Sequence, residues 1–263
     1  MTNQEELILQ EETMLSMLLI EDNEDMLFFI ADHFSGLYKI QTAVNGKDGW
    51  IKALSLMPDI IISDIMMPVM TGVELCSTIK NDVHTSHIPV ILLTAKDSDE
   101  ARIEGYQKGA DAYVSKPFNI DLLEVRVKSL IQNRQRLQDR FKSNFLQPQP
   151  VAIASPDEEF IEQVVQYVED NIMEPVLNVE NLSKQVNMSR ITLYRKIKAI
   201  TGLTAVEFIR SVRLKKAAQL LSRKSHNVNE VCYMAGFSDI DYFRKCFKAM
   251  FGALPKGYTD SQP

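Results

Sequence analysis

The length, composition and charge of the chain exclude several classes of protein. Its 263 residues are enough for about two domains, and no apolar run approaches the roughly 18 residues that a membrane span requires. The cysteines, Cys76, Cys232 and Cys246, are odd in number and widely spaced, which favours buried free thiols over disulfides or metal ligands. The first residues lack the basic segment and apolar core of a signal peptide. We therefore expect a soluble, cytoplasmic chain without membrane contact.

The net charge of −6 is unevenly distributed along the sequence. Residues 1–130 contain 10 Lys and Arg against 21 Asp and Glu, a net charge of −11. Residues 176–263 contain 15 against 6, a net charge of +9. Because basic domains attract polyanions, this pattern predicts an acidic sensor domain joined to a domain that binds a polyanion.

The chain begins with an acidic leader, residues 1–15, which we interpret as the stub of a longer protein. From residue 16 to residue 144, short apolar runs alternate with amphipathic segments, which predicts a doubly wound α/β domain with a five-stranded parallel sheet. The last helix of this domain continues past Arg134 and Arg136 as a basic, solvated face. The amphipathic segments predict helices over Asp25–Phe34, Lys47–Leu56, Val73–Asn81, Ser98–Lys108 and from Ile120 onward.

Polar side chains follow the apolar runs at four points. Asp64 ends the run that contains three isoleucines, and an acid in this position is also typical of an ordinary turn. Three more runs end in polar groups: Glu21 with Asp22, then Thr94, then Lys116. Since the carboxyl ends of parallel strands meet at one edge of a sheet, these groups should converge. Three carboxylates with a lysine and a hydroxyl fit a Mg²⁺ site that also holds a phosphoryl group.

These residues, together with the Lys116-Pro117 pair whose peptide bond is a candidate for the cis form, resemble the receiver domain of two-component response regulators. The resemblance covers about half of the chain. It implies that Asp64 is the phosphoacceptor and that a histidine kinase is the partner. It also implies switch and phosphoryl-binding roles for Thr94, Lys116 and the aromatic residue Tyr113. The implied Mg²⁺ ligands are Glu21, Asp22, Asp64 and the backbone carbonyl of Met66.

A proline-rich stretch, residues 145–156, predicts an interdomain linker, because Pro148 and Pro150 each remove a backbone donor and fix φ. An amphipathic helix is then expected over Asp157–Met173. Its acidic surface would be repelled by phosphates, so it should support the domain rather than contact nucleic acid.

An internal repeat follows residue 175. Asn178-Val179 and Ser189 recur 49 residues later, whereas Leu193 and the residues after it recur 50 residues later, so one residue is inserted between the two blocks. Two copies of this length are typical of two helix-turn-helix units. First helices are predicted over Val179–Val186 and Val228–Met234, and the second helices should be capped by Ser189 and Ser238.

The second helix of the first unit has a basic and aromatic face. Leu193 and Ile197 should point inward, which leaves Arg190, Thr192, Tyr194, Arg195, Lys196 and Lys198 largely outward. A merely solvated helix is the alternative interpretation. The segment from residue 157 to residue 258 resembles the AraC-type DNA-binding domain, which implies a rigid linking helix near Ala205–Leu221. The implied base-facing positions are Arg190, Ile191, Tyr194 and Arg195, then Asp239, Ile240, Asp241 and Arg244. The alternative role for the two acids is to cap the helix.

The sequence therefore predicts four segments: leader 1–15, receiver 16–144, linker 145–156 and DNA-binding domain 157–263. A phosphorylation-controlled transcription regulator is the expected function, non-enzymatic in itself, with double-stranded DNA as a partner and a homodimer as the phosphorylated form. The alternative is the C-terminal part of a membrane-bound hybrid histidine kinase.

Overall fold

The structure is a computed structural model that describes residues 14–95, 109–144, 155–174, 177–223 and 226–260. The acidic leader up to residue 13, the helix predicted over Ser98–Lys108 and the linker residues 145–154 lie outside these ranges. The chain divides into two compact units between Asp139 and Arg140. Each unit is described by itself.

A five-stranded parallel sheet forms the first unit, in the order β2-β1-β3-β4-β5. This confirms the predicted doubly wound fold. The strands are β1 Ser16–Ile20, β2 Lys39–Ala43, β3 Ile60–Asp64, β4 Val90–Ala95 and β5 Ala112–Lys116. The helices are α1 Glu24–Phe34, α2 Gly46–Leu56, α3 Gly72–Asn81 and α4 Ile120–Asn144.

The central strand β3 is buried along its whole length. Because successive side chains of a strand point to opposite faces, Ile61 packs in one core cluster while Ile60 and Ile62 pack in the other. The same alternation places Leu18 and Leu19 of β1 on opposite faces of the sheet. A run of isoleucines is therefore needed here, since both faces of the sheet are covered by helices.

The second unit consists of helices that enclose two separate cores. One cluster combines α5, α6 and α7 with the first half of α8, and the other combines the second half of α8 with α9, α10 and α11. The linking helix α8 thus belongs to both cores, as its predicted role requires. The helices are α5 Pro156–Asp170, α6 Val179–Gln185, α7 Arg190–Thr201, α8 Ala205–Ser222, α9 Val228–Met234, α10 Ile240–Phe251 and α11 Pro255–Asp260.

The helix caps correct two details of the prediction. Pro156 was assigned to the linker, but it is the first residue of α5 behind the N-cap Ser155, a position where its fixed φ suits a helix. Ser189 caps α7 as predicted, whereas α10 is capped by Asp239 and not by Ser238. The extra residue of the second unit lies in its turn, before the cap. The cap of α10 is therefore 50 residues after Ser189, the same distance that separates α10 from α7.

Candidate functional site

The predicted site residues of the first unit meet at the carboxyl edge of the sheet. Asp64 is the last residue of β3, and Glu21 follows the last residue of β1. Thr94 pairs in register with Ser115, next to Lys116 at the end of β5. The parallel pairing of these strands brings together side chains that are far apart in the sequence.

Three carboxylates form the acidic part of the site. Ligand oxygens of Glu21, Asp22 and Asp64 all lie within 4.8 Å of one another. Glu21 and Asp64 are buried while Asp22 is exposed. Burial raises the pKa of Glu21 above its usual value, and the nearby charge of Asp64 raises it further against the opposing effect of Lys116. Hard oxygen ligands with one side open to solvent fit a divalent cation such as Mg²⁺.

Lys116 lies between two of these acids. Its Nζ is 2.7 Å from Glu21 Oε2 and 2.7 Å from Asp64 Oδ1. Burial lowers the pKa of Lys116, but the hydrogen bonds to Asp64 and Glu21 outweigh burial and raise that pKa overall. The ammonium group therefore stays charged and offsets the repulsion between the acids. The Lys116-Pro117 peptide bond is cis, as predicted.

The backbone around Asp64 fixes its carboxylate. The Met66 N–H donates to Asp64 Oδ2 over 3.0 Å, and the Ser63 hydroxyl donates to the Asp64 carbonyl oxygen over 2.9 Å. Gly72, at the start of α3, approaches the same carbonyl so closely that a Cβ there would lie 2.0 Å from the oxygen. Gly72 is a site-supporting residue that sequence reasoning did not single out, although it ends the stretch that contains Asp64.

Thr94 and Tyr113 lie on neighbouring strands. Both side chains are buried, and Tyr113 packs in the core cluster that includes Leu92 and Ala110. The structure thus places an inward-facing aromatic ring beside the strand that carries the hydroxyl.

The first recognition helix of the second unit, α7, presents the predicted face. Arg190, Ile191, Tyr194 and Arg195 are exposed. On the opposite side, Leu193 and Ile197 are fully buried, as expected from their spacing.

Lys196 was predicted to point outward, and this is wrong. Its side chain is 0% exposed, with Nζ 2.7 Å from Asp157 Oδ1 and 4.9 Å from the centre of the Phe160 ring. A charge can be buried at this position because an acid and an aromatic face on α5 compensate it. Lys196 therefore anchors α7 to α5 and is not part of the exposed face.

The second recognition helix, α10, presents a different surface. Asp239 accepts a hydrogen bond from the Tyr242 N–H over 2.6 Å, which supports the capping alternative for this acid. Ile240 is half-buried against the core, while Asp241 and Arg244 are exposed and pair with each other at 3.3 Å. Sequence reasoning missed Tyr242, which is exposed and accepts a 3.0 Å hydrogen bond from Arg210.

The comparisons with known families agree with these two domains. Residues 17–128 match the response regulator receiver domain, and residues 182–261 match a helix-turn-helix domain. Residues 17–128 are thus a receiver domain, and the C-terminal domain is a helix-turn-helix domain of the AraC type.

Individual relatives contain one or both parts. Histidine kinase P4 of Formosa agariphila is 41% identical over 257 residues, which are 97% of this chain and 19% of that protein. Response regulator Rre1 of Synechocystis sp. is 36% identical over 129 residues, 48% of this chain and 55% of that protein. The receiver domain of Francisella response regulator 1452 is 34% identical, with a TM-score of 0.42, and the match covers 45% of this chain and 98% of that chain. The chain therefore spans only part of the curated relatives it resembles.

Within the described ranges, no helix combines the length and the apolar character that crossing a membrane requires.

Proposed function

We propose that this chain is a transcription regulator in which Asp64 accepts a phosphoryl group from a histidine kinase and thereby controls DNA binding by the C-terminal domain. The observation that carries the proposal is the arrangement around Asp64. One carboxylate oxygen is 2.7 Å from Lys116 Nζ and the other is 3.0 Å from the Met66 N–H. In the transfer, an Asp64 oxygen forms a bond to phosphorus while the bond to the imidazole nitrogen of the donor breaks.

The chain's own residues supply positioning and charge for this reaction. Lys116 is placed to pair with the phosphoryl oxygens, and Thr94 on the adjoining strand is proposed to donate its hydroxyl to one of them. Mg²⁺ is proposed to bind Glu21, Asp22, Asp64 and the Met66 carbonyl, where it would neutralise charge on the incoming group.

The experiment measures phosphoryl transfer directly. Incubation with acetyl phosphate and Mg²⁺ should add one phosphoryl group to the intact protein, as measured by mass spectrometry, and EDTA should prevent it. Asp64→Asn should remain unlabelled. Asp121→Asn is the matched control, because Asp121 is an exposed acid on α4 outside the pocket, and it should be labelled like the parent. Equal labelling of Asp64→Asn and the parent would exclude this assignment.

Phosphorylation is proposed to act through Thr94 and Tyr113. Movement of Thr94 toward the phosphoryl group would let the Tyr113 ring fill the space beside it and alter the surface near β5. The proposed result is a homodimer that binds paired DNA sites more tightly. The other part of that surface, predicted over Ser98–Tyr106, lies outside the described residues. Sedimentation with and without phosphorylation tests this step, and unchanged mass together with unchanged DNA affinity would reject it.

A second candidate follows from the similarity to Histidine kinase P4, which extends over 97% of this chain. We propose as the alternative that this regulator is the C-terminal part of a hybrid kinase, so that the phosphoryl donor belongs to the same polypeptide. Sequencing the gene upstream of the Met1 codon would distinguish the two, because an in-frame kinase region is expected only for the hybrid.

A further inference from the structure

A cleft of about 300 Å³ lies between the two helix-turn-helix units. One wall comes from α8 and carries Arg210 and Arg213, and the other comes from the turn before α10 and its first residues. Among the described residues that line the cleft, Asp239 is the single acid, so their formal charge is +1 (two arginines against one aspartate).

Arg213 is the notable residue of the cleft. Its side chain is half-buried, its Nε is inaccessible to solvent, and no hydrogen-bond partner for that atom exists among the described residues. Burial lowers the pKa of Arg213, yet a guanidinium remains charged at neutral pH. A half-buried guanidinium whose Nε has no partner among the described residues is stabilised by an anion close to it.

The backbone of the turn before α10 holds one edge of this guanidinium. Gly236 adopts a φ of 78°, and a Cβ at that residue would lie 2.1 Å from the Ile172 carbonyl oxygen and 3.0 Å from Arg213 Nε. A glycine is therefore needed where the turn approaches the arginine. Arg213 also lines the cleft, so a partner in the cleft can reach its guanidinium.

Arg210 adds a second cation one turn earlier on α8. Its Nη1 donates to the Tyr242 hydroxyl over 3.0 Å, while its nearest acid, Glu207, is 3.9 Å away. The hydrogen bond that Arg210 donates to Tyr242 is the main cause of a raised pKa of Arg210. Because Tyr242 lies in the first turn of α10, this bond directs Arg210 toward the end of the second recognition helix.

The position of the cleft indicates which anion it receives. In helix-turn-helix proteins the first residues of the recognition helix enter the major groove, and the phosphates beside the groove fix the orientation of the domain. Ser238, Asp239 and Tyr242 lie at that end of α10 and line the cleft. We propose that Arg213 and Arg210 bind a backbone phosphodiester of the DNA between the two units. This inference rests on the proposed DNA binding.

Asp239 accepts a hydrogen bond from the Tyr242 N–H at 2.6 Å as the N-cap of α10, and the two arginines of the cleft outweigh its negative charge. The planar guanidinium groups suit phosphate oxygens, since each can donate two parallel hydrogen bonds.

The test measures the salt dependence of DNA binding by the full chain. A mixed-sequence duplex is titrated at several NaCl concentrations with the parent, Arg213→Gln and Arg210→Gln. Loss of one phosphate contact should reduce the slope of log K against log salt by about one unit in each variant. Arg223→Gln is the matched control, since this exposed arginine follows α8 about 15 Å along the axis from Arg213 and should keep the parent slope.

The outcomes distinguish a failure of the proposed phosphodiester site from a failure of DNA binding by the domain as a whole. Parent-like slopes for both Arg213→Gln and Arg210→Gln would overturn the phosphodiester site while leaving DNA binding intact. If Arg213→Gln does not fold, the slope of Arg210→Gln decides alone. A parent that binds no duplex would overturn both proposals. In a further arm without DNA, a rise in Tm with inorganic phosphate that Arg213→Gln abolishes, together with unchanged DNA slopes, would identify a free anion as the ligand and reject the phosphodiester.

Discussion

Lys196 Nζ lies 2.7 Å from Asp157 Oδ1, so a lysine of the first recognition helix is fixed to the first turn of α5. The two residues are 39 positions apart, and the lysine is fully buried whereas the acid side chain is 25% exposed. This difference in exposure makes the pair asymmetric. Removing the acid leaves a buried charge without its partner, whereas removing the lysine leaves an acid that water can still reach.

The first prediction follows from that asymmetry. Asp157→Ala should destabilise the protein by about 3–5 kcal/mol, because the buried ammonium of Lys196 then loses the carboxylate that offsets its charge. Lys196→Met, which keeps the aliphatic stem, should cost only about 1–2 kcal/mol. Urea unfolding monitored by circular dichroism measures both. Glu162→Ala, an exposed acid on α5, serves as the control and should be close to neutral. Equal losses for Asp157→Ala and Lys196→Met would show that the pair is not asymmetric.

A second prediction concerns Gly72, whose missing side chain lets α3 approach Asp64. A Cβ there would meet the Asp64 carbonyl oxygen at 2.0 Å, so Gly72→Ala must displace the strand end that carries the phosphoacceptor. We expect a loss of about 1–3 kcal/mol of stability and phosphorylation by acetyl phosphate at least about tenfold slower. Gly36→Ala is the matched control, since nothing lies within 4 Å of a Cβ at that position. Labelling of Gly72→Ala at the parent rate would contradict the role given to this contact.

The third prediction concerns thiol reactivity. Burial raises the pKa of the Cys76 thiol to about 11, and burial also raises the pKa of Cys232. Because the thiolate is the reactive form, neither should react readily at pH 8, whereas half-exposed Cys246 should react first. Iodoacetamide labelling followed by peptide mass spectrometry measures the order in which the three cysteines react. The raised pKa keeps the Cys76 thiol protonated in the native state. The free energy of unfolding should therefore fall as the pH rises from 9 toward 11, because this thiol then ionises in the unfolded chain before it does so in the folded chain. Faster labelling of Cys76 than of Cys246 in the folded protein would refute the prediction.

The residues that meet at the carboxyl edge of the sheet could be predicted, because the sequence pattern shows where each strand ends. An isoleucine run predicts a buried parallel strand, and parallel strands place their last residues together, so the sequence predicts that Asp64 and Lys116 meet. The sequence does not predict Gly72 as a supporting residue, because its distance from Asp64 depends on how the start of α3 packs against the end of β3.

The second unit shows where a helical pattern is insufficient. Leu193 and Ile197 were assigned correctly from their spacing, but Lys196 was not, since only the tertiary contact with α5 makes burial of that charge tolerable. Arg213 was likewise unassigned, because a half-buried arginine and an exposed one have the same sequence signal.

The last prediction distinguishes a residue that contacts DNA bases from a residue that contacts the DNA phosphates. Arg195 is exposed on α7, two helical turns or less behind the Ser189 cap, with buried Leu193 on the opposite side of the helix. An arginine that contacts guanine carries about 1–3 kcal/mol of discrimination, so Arg195→Ala should weaken a duplex selected from a random pool much more than a scrambled duplex. Lys216, half-exposed on α8, is expected to contact phosphate instead.

Lys216→Gln is therefore the comparison for Arg195→Ala. Loss of a phosphate contact should weaken binding to selected and scrambled duplexes alike and reduce the salt slope by about one unit. Fluorescence anisotropy with both duplexes at several salt concentrations measures the two effects in the same titrations. If Arg195→Ala loses the same affinity for both duplexes, Arg195 contacts the backbone and another residue of the exposed face, such as Arg190 or Tyr194, must contact the bases. If Lys216→Gln keeps the parent slope, then Lys216 does not contact phosphate.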